Sequence, residues 1–419
     1  MASTAALGGL TATGCGSGEP RPPTPSASSP GSSSSPSSSP PSSASSSRRQ
    51  PGGEPARAPA TLFLCGDVMT ARGIDQILPH PGDPRLREPF VQSAREYVAL
   101  AEQENGPIPR PLDFAYPWGA ALEELDEREP DVRIINLETA VTQASDWADK
   151  SIHYRMHPAN VPVISAAGVD CCVLANNHVL DFGRPGLLET LDVLQDTGLP
   201  TVGAGRNAAE AAAPAILDLP EDRRLVVLAF GSTTSGIPND WAAAEGRPGV
   251  SLLEESDVEA IAARIGAVRR PGDVVVVSIH WGGNWGYAIP EWQRRLAHRL
   301  VEKAGVDIVH GHSSHHFKAI ERHGDGLILY GCGDFLNDYE GISGYEELRP
   351  DLVLMFFVTL DAVARPRLTV VPLRIARLQL ERPTPEETAW VRRRLERECG
   401  RFGGRVREDE AGALELEWD

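Results

Sequence analysis

No apolar run in the 419 residues is long enough to cross a bilayer as a helix. Positive charge is also in deficit. Lys and Arg total 40 against 58 Asp and Glu, for a formal net charge of -18, and the Arg residues are scattered rather than striped. A nucleic-acid backbone needs a basic footprint, so no nucleic-acid partner is expected. The same deficit argues against adhesion to anionic lipid. The six cysteines, Cys15, Cys65, Cys171, Cys172, Cys332 and Cys399, include no Cys-x-x-Cys pair, which excludes a zinc ribbon or a thioredoxin-type motif. Cys65, Cys171 and Cys172 sit in apolar runs and read as buried small hydrophobes. No disulfide framework is expected. Gly203-Ala204-Gly205 falls short of a dinucleotide fingerprint, and no Gly-x-Ser-x-Gly elbow accompanies Ser313 or Ser314.

What is present begins with a change of composition. Residues 1–14 hold no Lys or Arg, and residues 16–60 are dominated by Ser, Pro and Gly, too poor in apolar surface to fold. Residues 1–60 therefore read as a disordered tether. Leu10-Thr11-Ala12-Thr13-Gly14-Cys15 resembles a bacterial lipoprotein cleavage site that lacks the basic segment of a secretory signal. With such a segment upstream the protein would be lipid-anchored at the cell surface. Without one it would be cytoplasmic.

From Thr61 onward the hydrophobic content, 41% overall, is organised as strands alternating with helices. Strands are expected at 61–65, 132–135, 169–174, 225–230, 274–279, 306–309 and 327–330. Helices are expected at 119–129, 185–197, 254–269 and 290–304. The last opens on Pro290 and closes before Gly305, a sound pair of boundaries. This alternation predicts an α/β fold with a largely parallel central sheet. Later strands at 352–360 and 368–373 would close a second sheet, and 384–419 reads as a helix with a charged end.

Five polar clusters follow these apolar runs: Gly66-Asp67-Val68-Met69, Asn136-Leu137-Glu138, Asn176-Asn177-His178, His280-Trp281-Gly282 and Gly311-His312-Ser313-Ser314-His315. In parallel sheets ligands gather at the carboxyl ends of strands, which is where each cluster falls. Asp67, Glu138, Asn177 (with Asn176 as the less favoured alternative), His280, His312 and His315 supply the oxygen and nitrogen donors of a divalent-metal site, of the Mn, Fe or Zn kind, with one or two ions. Two ions about 3.5–4 Å apart would activate water and clamp an in-line displacement. His178 is placed to act as general acid, with Asp181 orienting its ring. Asn136 reads as a turn or backbone-bonding residue. His80, His153, His157, His298 and His323 read as ordinary structural residues, and His310 and His316 as ambiguous. Trp281, Trp285 and Tyr287 read equally as cleft lining or packing.

Together these motifs, with Arg72, Leu174-Ala175-Asn176-Asn177-His178-Val179-Leu180-Asp181-Phe182-Gly183, the stretch from Tyr154 to Val161, and Tyr330-Gly331-Cys332-Gly333-Asp334-Phe335, resemble the CapA family over about residues 61–345. These are poly-γ-glutamate capsule biosynthesis proteins of the calcineurin-like metallophosphoesterase superfamily. The resemblance implies a four-layer α-β-β-α sandwich over 61–380, with a C-terminal helix and charged tail over 381–419. It implies the same six metal positions, His178 as the acid, and Arg72 and Arg155 as anion-binding residues. It implies metal-dependent hydrolysis or transfer on a peptide polymer or phosphoester, in a membrane-bound synthesis complex. The alternatives are a phosphatase or phosphodiesterase, an acid–base enzyme acting at a peptide α-carbon, and a non-catalytic scaffold. Three departures stand out. Met69 occupies the superfamily's His position, Glu138 stands where an Asp bridges, and Gly-His-x-x-His is one residue longer than the usual motif.

Overall fold

The run Ala60–Val68 is apolar on both faces and buried along almost its whole length, as a strand at the centre of a two-sided sheet must be. In the computed structural model, which describes residues 59–361 and 365–418, it is the axis of a ten-stranded mixed sheet. Val132–Leu137 pairs with it in parallel on one side, followed by Cys171–Val173 and Thr201–Val202. Leu352–Leu360 pairs with it antiparallel on the other side, followed by Arg367–Ala376.

A second, six-stranded sheet runs in the order Ile320–His323, Gly326–Leu329, Ile308–His312, Val274–His280, Arg223–Gly231, Ala215–Leu219. Its four inner strands are parallel and its two edges antiparallel. Three apolar cores hold the assembly. One lies between the sheets and unites Leu62, Leu64 and Ile134 with Val227, Val276 and Ile308. A second packs the other face of the first sheet, through Phe63, Cys65 and Ile135, against the helices Ala94–Asn105, Ala120–Arg128 and Gly183–Asp196. A third packs Val275, Val277 and Val309 against Val258–Val268 and Glu291–Ala304. Each fully buried Leu, Ile, Val or Phe contributes roughly 1.5–3 kcal/mol to such cores.

Most expected elements occur within a few residues of their predicted bounds, with three differences. The strands divide between two sheets rather than forming one central sheet. Leu352–Leu360 and Arg367–Ala376 join the first sheet beside Ala60–Val68 and do not close the second, because the apolar run of Leu352–Leu360 suits a position buried on both faces. The tail is more than a helix and a charged end: after Pro385–Cys399, the strands Gly404–Glu408 and Leu414–Trp418 form a hairpin on the edge of the first sheet. Its alternation of charged with apolar residues is the period-2 pattern of an edge strand. Cys65, Cys171, Cys172, Cys332 and Cys399 are free and buried. Cys15 and the Ser/Pro-rich tether lie outside the described residues.

Candidate metal centre

The first sheet delivers carboxylates to the ends of its strands. Asp67 lies near the end of the first strand, opposite Asn136 on one neighbour and Asp334 on the other. This proximity depends on Gly66. A Cβ there would stand 1.7 Å from the carbonyl oxygen of Gly333, so only glycine allows the two backbones to touch. Glu138 follows the second strand directly, and the Asn176-Asn177-His178 turn follows the third. The second sheet delivers imidazoles. His280 and His312 end adjacent parallel strands and stand opposite each other in register.

These side chains meet. Donor atoms of Asp67, His280 and His312 all lie within 4.8 Å of one another, and so do those of Asp67, Glu138 and Asp334. The residue common to both groups is Asp67, not Glu138. His280 Nδ1 lies 2.7 Å from His312 Nδ1, and these atoms are 3.8 and 3.6 Å from Asp67 Oδ1. His280 Nε2 is 3.6 Å from Glu138 Oε1. Burial, reinforced by Asp334, pushes the Asp67 carboxyl up to about 8, although Asn136 and Ser313 each donate a hydrogen bond to it. Glu138 is raised by burial and by Asp67, while burial holds His280 and His312 well below the usual imidazole range. Three buried carboxylates crowd neutral imidazoles, a donor set that suits a divalent cation. Asn177 adds a second sign, because its Oδ1 is buried with no hydrogen-bond partner. Such orphaned acceptors are rare in folded proteins, and a cation would satisfy this one. The residues present therefore fit a metal.

Beside this set stands the proposed acid. His178 Nε2 is 3.9 Å from Glu138 Oε1, while its Nδ1 lies 2.6 Å from Asp181 Oδ2. Asp181 also accepts from the Lys150 ammonium at 2.7 Å and from the Tyr154 backbone N–H at 2.7 Å. The Tyr154 ring stacks on the His178 ring at 3.7 Å. Burial, then the Lys150 charge, holds His178 well below its ordinary value. The Asp181 carboxylate favours the tautomer with Nδ1–H directed at it, which turns Nε2 toward the site.

The other expected residues divide. His315 reaches the centre through Asp334, 3.0 Å from its Nδ1, and this carboxylate overcomes burial and raises the imidazole. Asn176 does not compete with Asn177, because its amide is spent on Asn136, Leu137 and the N–H groups of His178 and Val179. Asn136 acts through its side chain, on Asp67, and is more than a turn residue. Arg72 lines the cavity, but its guanidinium is already bound by Asp338, Glu88 and Tyr97. Arg155 is not brought to the site. It donates to the carbonyls of Ala144 and Asp83 and lies over the Phe182 ring. Met69 packs with Ala71 and Tyr154 in a small apolar cluster. His310 is structural, between Ser278 and the Cys65 carbonyl, and His316 accepts from the Gly286 N–H. Trp281 is packing, with its Nε1–H on the Tyr330 carbonyl. Trp285 lines the cavity and stacks on Tyr345.

Sequence reasoning missed Asp334 as a donor, together with Lys150 and Tyr154. Asp334 carried the same signal as the others, a polar residue just after an apolar run, hidden by the glycines of Gly331-Cys332-Gly333. Lys150 and Tyr154 lie in an irregular stretch with no such pattern. A cavity of about 940 Å³ opens over the centre, and Glu138, Asn177, His178 and His315 line it together with Lys150, Tyr154 and Tyr339.

Comparison with known proteins places the chain in a family. Residues 61–339 match the family model for the bacterial capsule synthesis protein PGA_cap. A Mycobacterium tuberculosis protein named "probable polyglutamine synthesis accessory protein" is 46% identical over 353 residues, 83% of this chain and 93% of the relative. The PGA biosynthesis protein CapA of Bacillus subtilis is 28% identical over 57% of this chain and 60% of its own length. The capsule biosynthesis protein CapA of Bacillus anthracis is 29% identical over 60% and 58%. With the family model covering most of the folded residues, the chain belongs to the bacterial capsule synthesis protein PGA_cap family.

Proposed function

We propose that this protein is a CapA-like, metal-dependent component of cell-envelope polymer synthesis, acting on poly-γ-glutamate or a related peptide polymer beside a membrane-bound synthesis complex. The relatives' names support the polymer and the accessory role. The three cores, helix on sheet, sheet on sheet and sheet on helix, support a four-layer calcineurin-like arrangement. The observation that carries the metal reading is the convergence of Asp67, Glu138, Asp334, His280 and His312 beside the unpartnered Asn177 Oδ1. Asp67, His280 and His312 would hold one Mn, Fe or Zn ion, and Asp67, Glu138, Asp334 and Asn177 a second.

An ion so held supplies Lewis acidity to a bound water or to an acyl or phosphoryl oxygen. The chain's own residues do the rest. Asp181 fixes the His178 tautomer, Lys150 and the Tyr154 ring hold that pair in place, and Nε2 of His178 takes a proton from the attacking nucleophile and delivers it to the leaving group. Arg72 shapes the wall as a neutralised cluster rather than as a free anion-binding cation.

One observation favours a phosphoester as the second substrate class. Asp334 adds a carboxylate to the group around Asp67, which offsets the donor missing at Met69 and leaves enough ligands for two ions.

Elemental mass spectrometry of the full chain after Mn, Zn or Fe loading tests the metal reading. One or two ions are expected at the Asp67 centre, and these are lost in His280→Ala and His312→Ala. A full chain that binds none under any loading would overturn it. Release of γ-glutamyl fragments from the polymer, against phosphate release from an aryl phosphate, separates the two substrate classes.

A further inference from the structure

Away from this centre, a second set of donors gathers where the helix Glu291–Ala304 meets the edge strand Ile320–His323. His298 Nε2 lies 3.0 Å from Glu321 Oε1, and His323 Nδ1 lies 4.0 Å from the same oxygen. One donor atom from each of the three residues falls within 4.8 Å of the others. The two imidazole rings are parallel, with centroids 3.7 Å apart, so both present ring edges to the same carboxylate.

The surroundings are those of ligands rather than of a chance surface pair. Histidines that bind a metal through one nitrogen characteristically donate the other to a carboxylate or carbonyl, and ligating carboxylates are themselves hydrogen-bonded. Here the remaining nitrogen of His323, Nε2, lies 2.8 Å from Glu302 Oε1. The remaining oxygen of Glu321, Oε2, accepts from the Tyr330 hydroxyl at 2.6 Å. Each points the inward atom of its partner toward the common space. Glu321 is buried, and the two histidines are about a quarter exposed, which leaves one side open to water.

We propose that His298, His323 and Glu321 form a second divalent-cation site, separate from the centre at Asp67. Two imidazole nitrogens and one carboxylate oxygen suit a borderline ion such as zinc, held at about 2.0–2.2 Å with water in the fourth position. Binding pins the edge hairpin, Ile320–His323 with Gly326–Leu329, to the helix.

The test is zinc titration of the full-length protein against a competing chelator, with stoichiometry read by elemental analysis. The wild-type chain is expected to lose one zinc equivalent when His298→Ala and His323→Ala are combined, and to keep the ions at the Asp67 centre. The His280→Ala chain is expected to keep the distal zinc. Glu302→Gln changes a half-exposed side chain that only orients His323, and should weaken distal binding by roughly tenfold. Circular dichroism in chelator checks that the variants keep the wild-type fold. Cobalt loaded into the His280→Ala chain should give a visible absorption band that disappears with His323→Ala. Zinc stoichiometry and affinity unchanged by both the double substitution and Glu302→Gln would overturn the site and leave two hydrogen-bonded ion pairs.

Discussion

The two sheets bring opposite halves of one chemistry. The first contributes the oxygen donors, Asp67, Glu138, Asn177 and Asp334, and buries its cation Arg72 against Asp338 and Glu88. The second contributes the nitrogen donors His280 and His312, and the segment that follows them buries a cation, Lys318, with no carboxylate in bonding range among the described residues. The ion proposed at Asp67, His280 and His312 needs donors from both halves. Three carboxylates without imidazoles repel one another, and two imidazoles without carboxylates carry no charge to draw a cation. That trio meets only across the packed inter-sheet core, so its metal affinity would report on tertiary packing as directly as on the ligands.

The sharpest way to break this complementarity is to remove one donor from either side. Asp67→Ala and His280→Ala should each weaken ion binding at the centre by on the order of a thousandfold, about 4 kcal/mol, as measured by chelator competition. Equal effects from the two sheets would establish that both halves bind one ion. A loss confined to Asp67→Ala would place the ion among the carboxylates alone.

The contrast between the two buried cations gives the next effect. Burial pushes Lys318 down to about 8 from an ordinary 10.5, whereas its partners keep Arg72 well charged. A lysine whose folded value is depressed costs stability while both states are protonated. That cost is full below about pH 8 and fades as pH rises toward 10.5. Lys318→Met should therefore stabilise the protein by about 2–3 kcal/mol at pH 7, with the gain shrinking by pH 10.5. Thermal melts of both chains at the two pH values check the sign, and a gain that grows with pH would contradict it.

Carboxylate crowding predicts a smaller effect of opposite sign in two conditions. With chelator present, Asp67→Asn relieves repulsion with Glu138 and Asp334 and should raise stability by about 1–2 kcal/mol. With saturating Mn or Zn it should melt below wild type, because ion binding no longer adds its linkage term. Parallel melts with and without chelator show whether the curves cross. Least of all, Lys150→Met should raise the pH at which His178 titrates, since the ammonium charge is one of the forces holding it down. Imidazole NMR shifts would follow this, and an unchanged midpoint would remove Lys150 from the causes and leave burial with the other nearby charges.

Much of this centre was legible because parallel strands end where ligands collect. Asp67, Glu138, Asn177, His280 and His312 each come at or just after the end of a largely apolar run, and the strand ends carry them together. Asp334 escaped because its strand, Asp334–Leu336, is three residues long and follows a glycine turn. Lys150 and Tyr154 escaped because they act from irregular chain, where no period marks position. Arg72 and Arg155 were placed by resemblance alone, and the structure gives them carboxylate and carbonyl partners instead. The division into two sheets was not legible in periodicity, because a strand buried between a helix layer and another sheet has the same apolar pattern as one buried between two helix layers. His298 and His323, unremarkable in sequence, acquire meaning only when a helix and an edge strand are set side by side.

The contact between Gly66 and Gly333 has a consequence for how this protein can vary. Neither glycine offers a donor atom to the centre or lines the cavity, yet a methyl group on Gly66 would have to displace the neighbouring backbone by more than an ångström. That displacement would carry Asp67 and Asp334 apart. In a survey of all single substitutions, Gly66 would be as intolerant as the aspartate beside it. A conservative alanine there would do the damage of deleting a ligand while leaving every ligand in place.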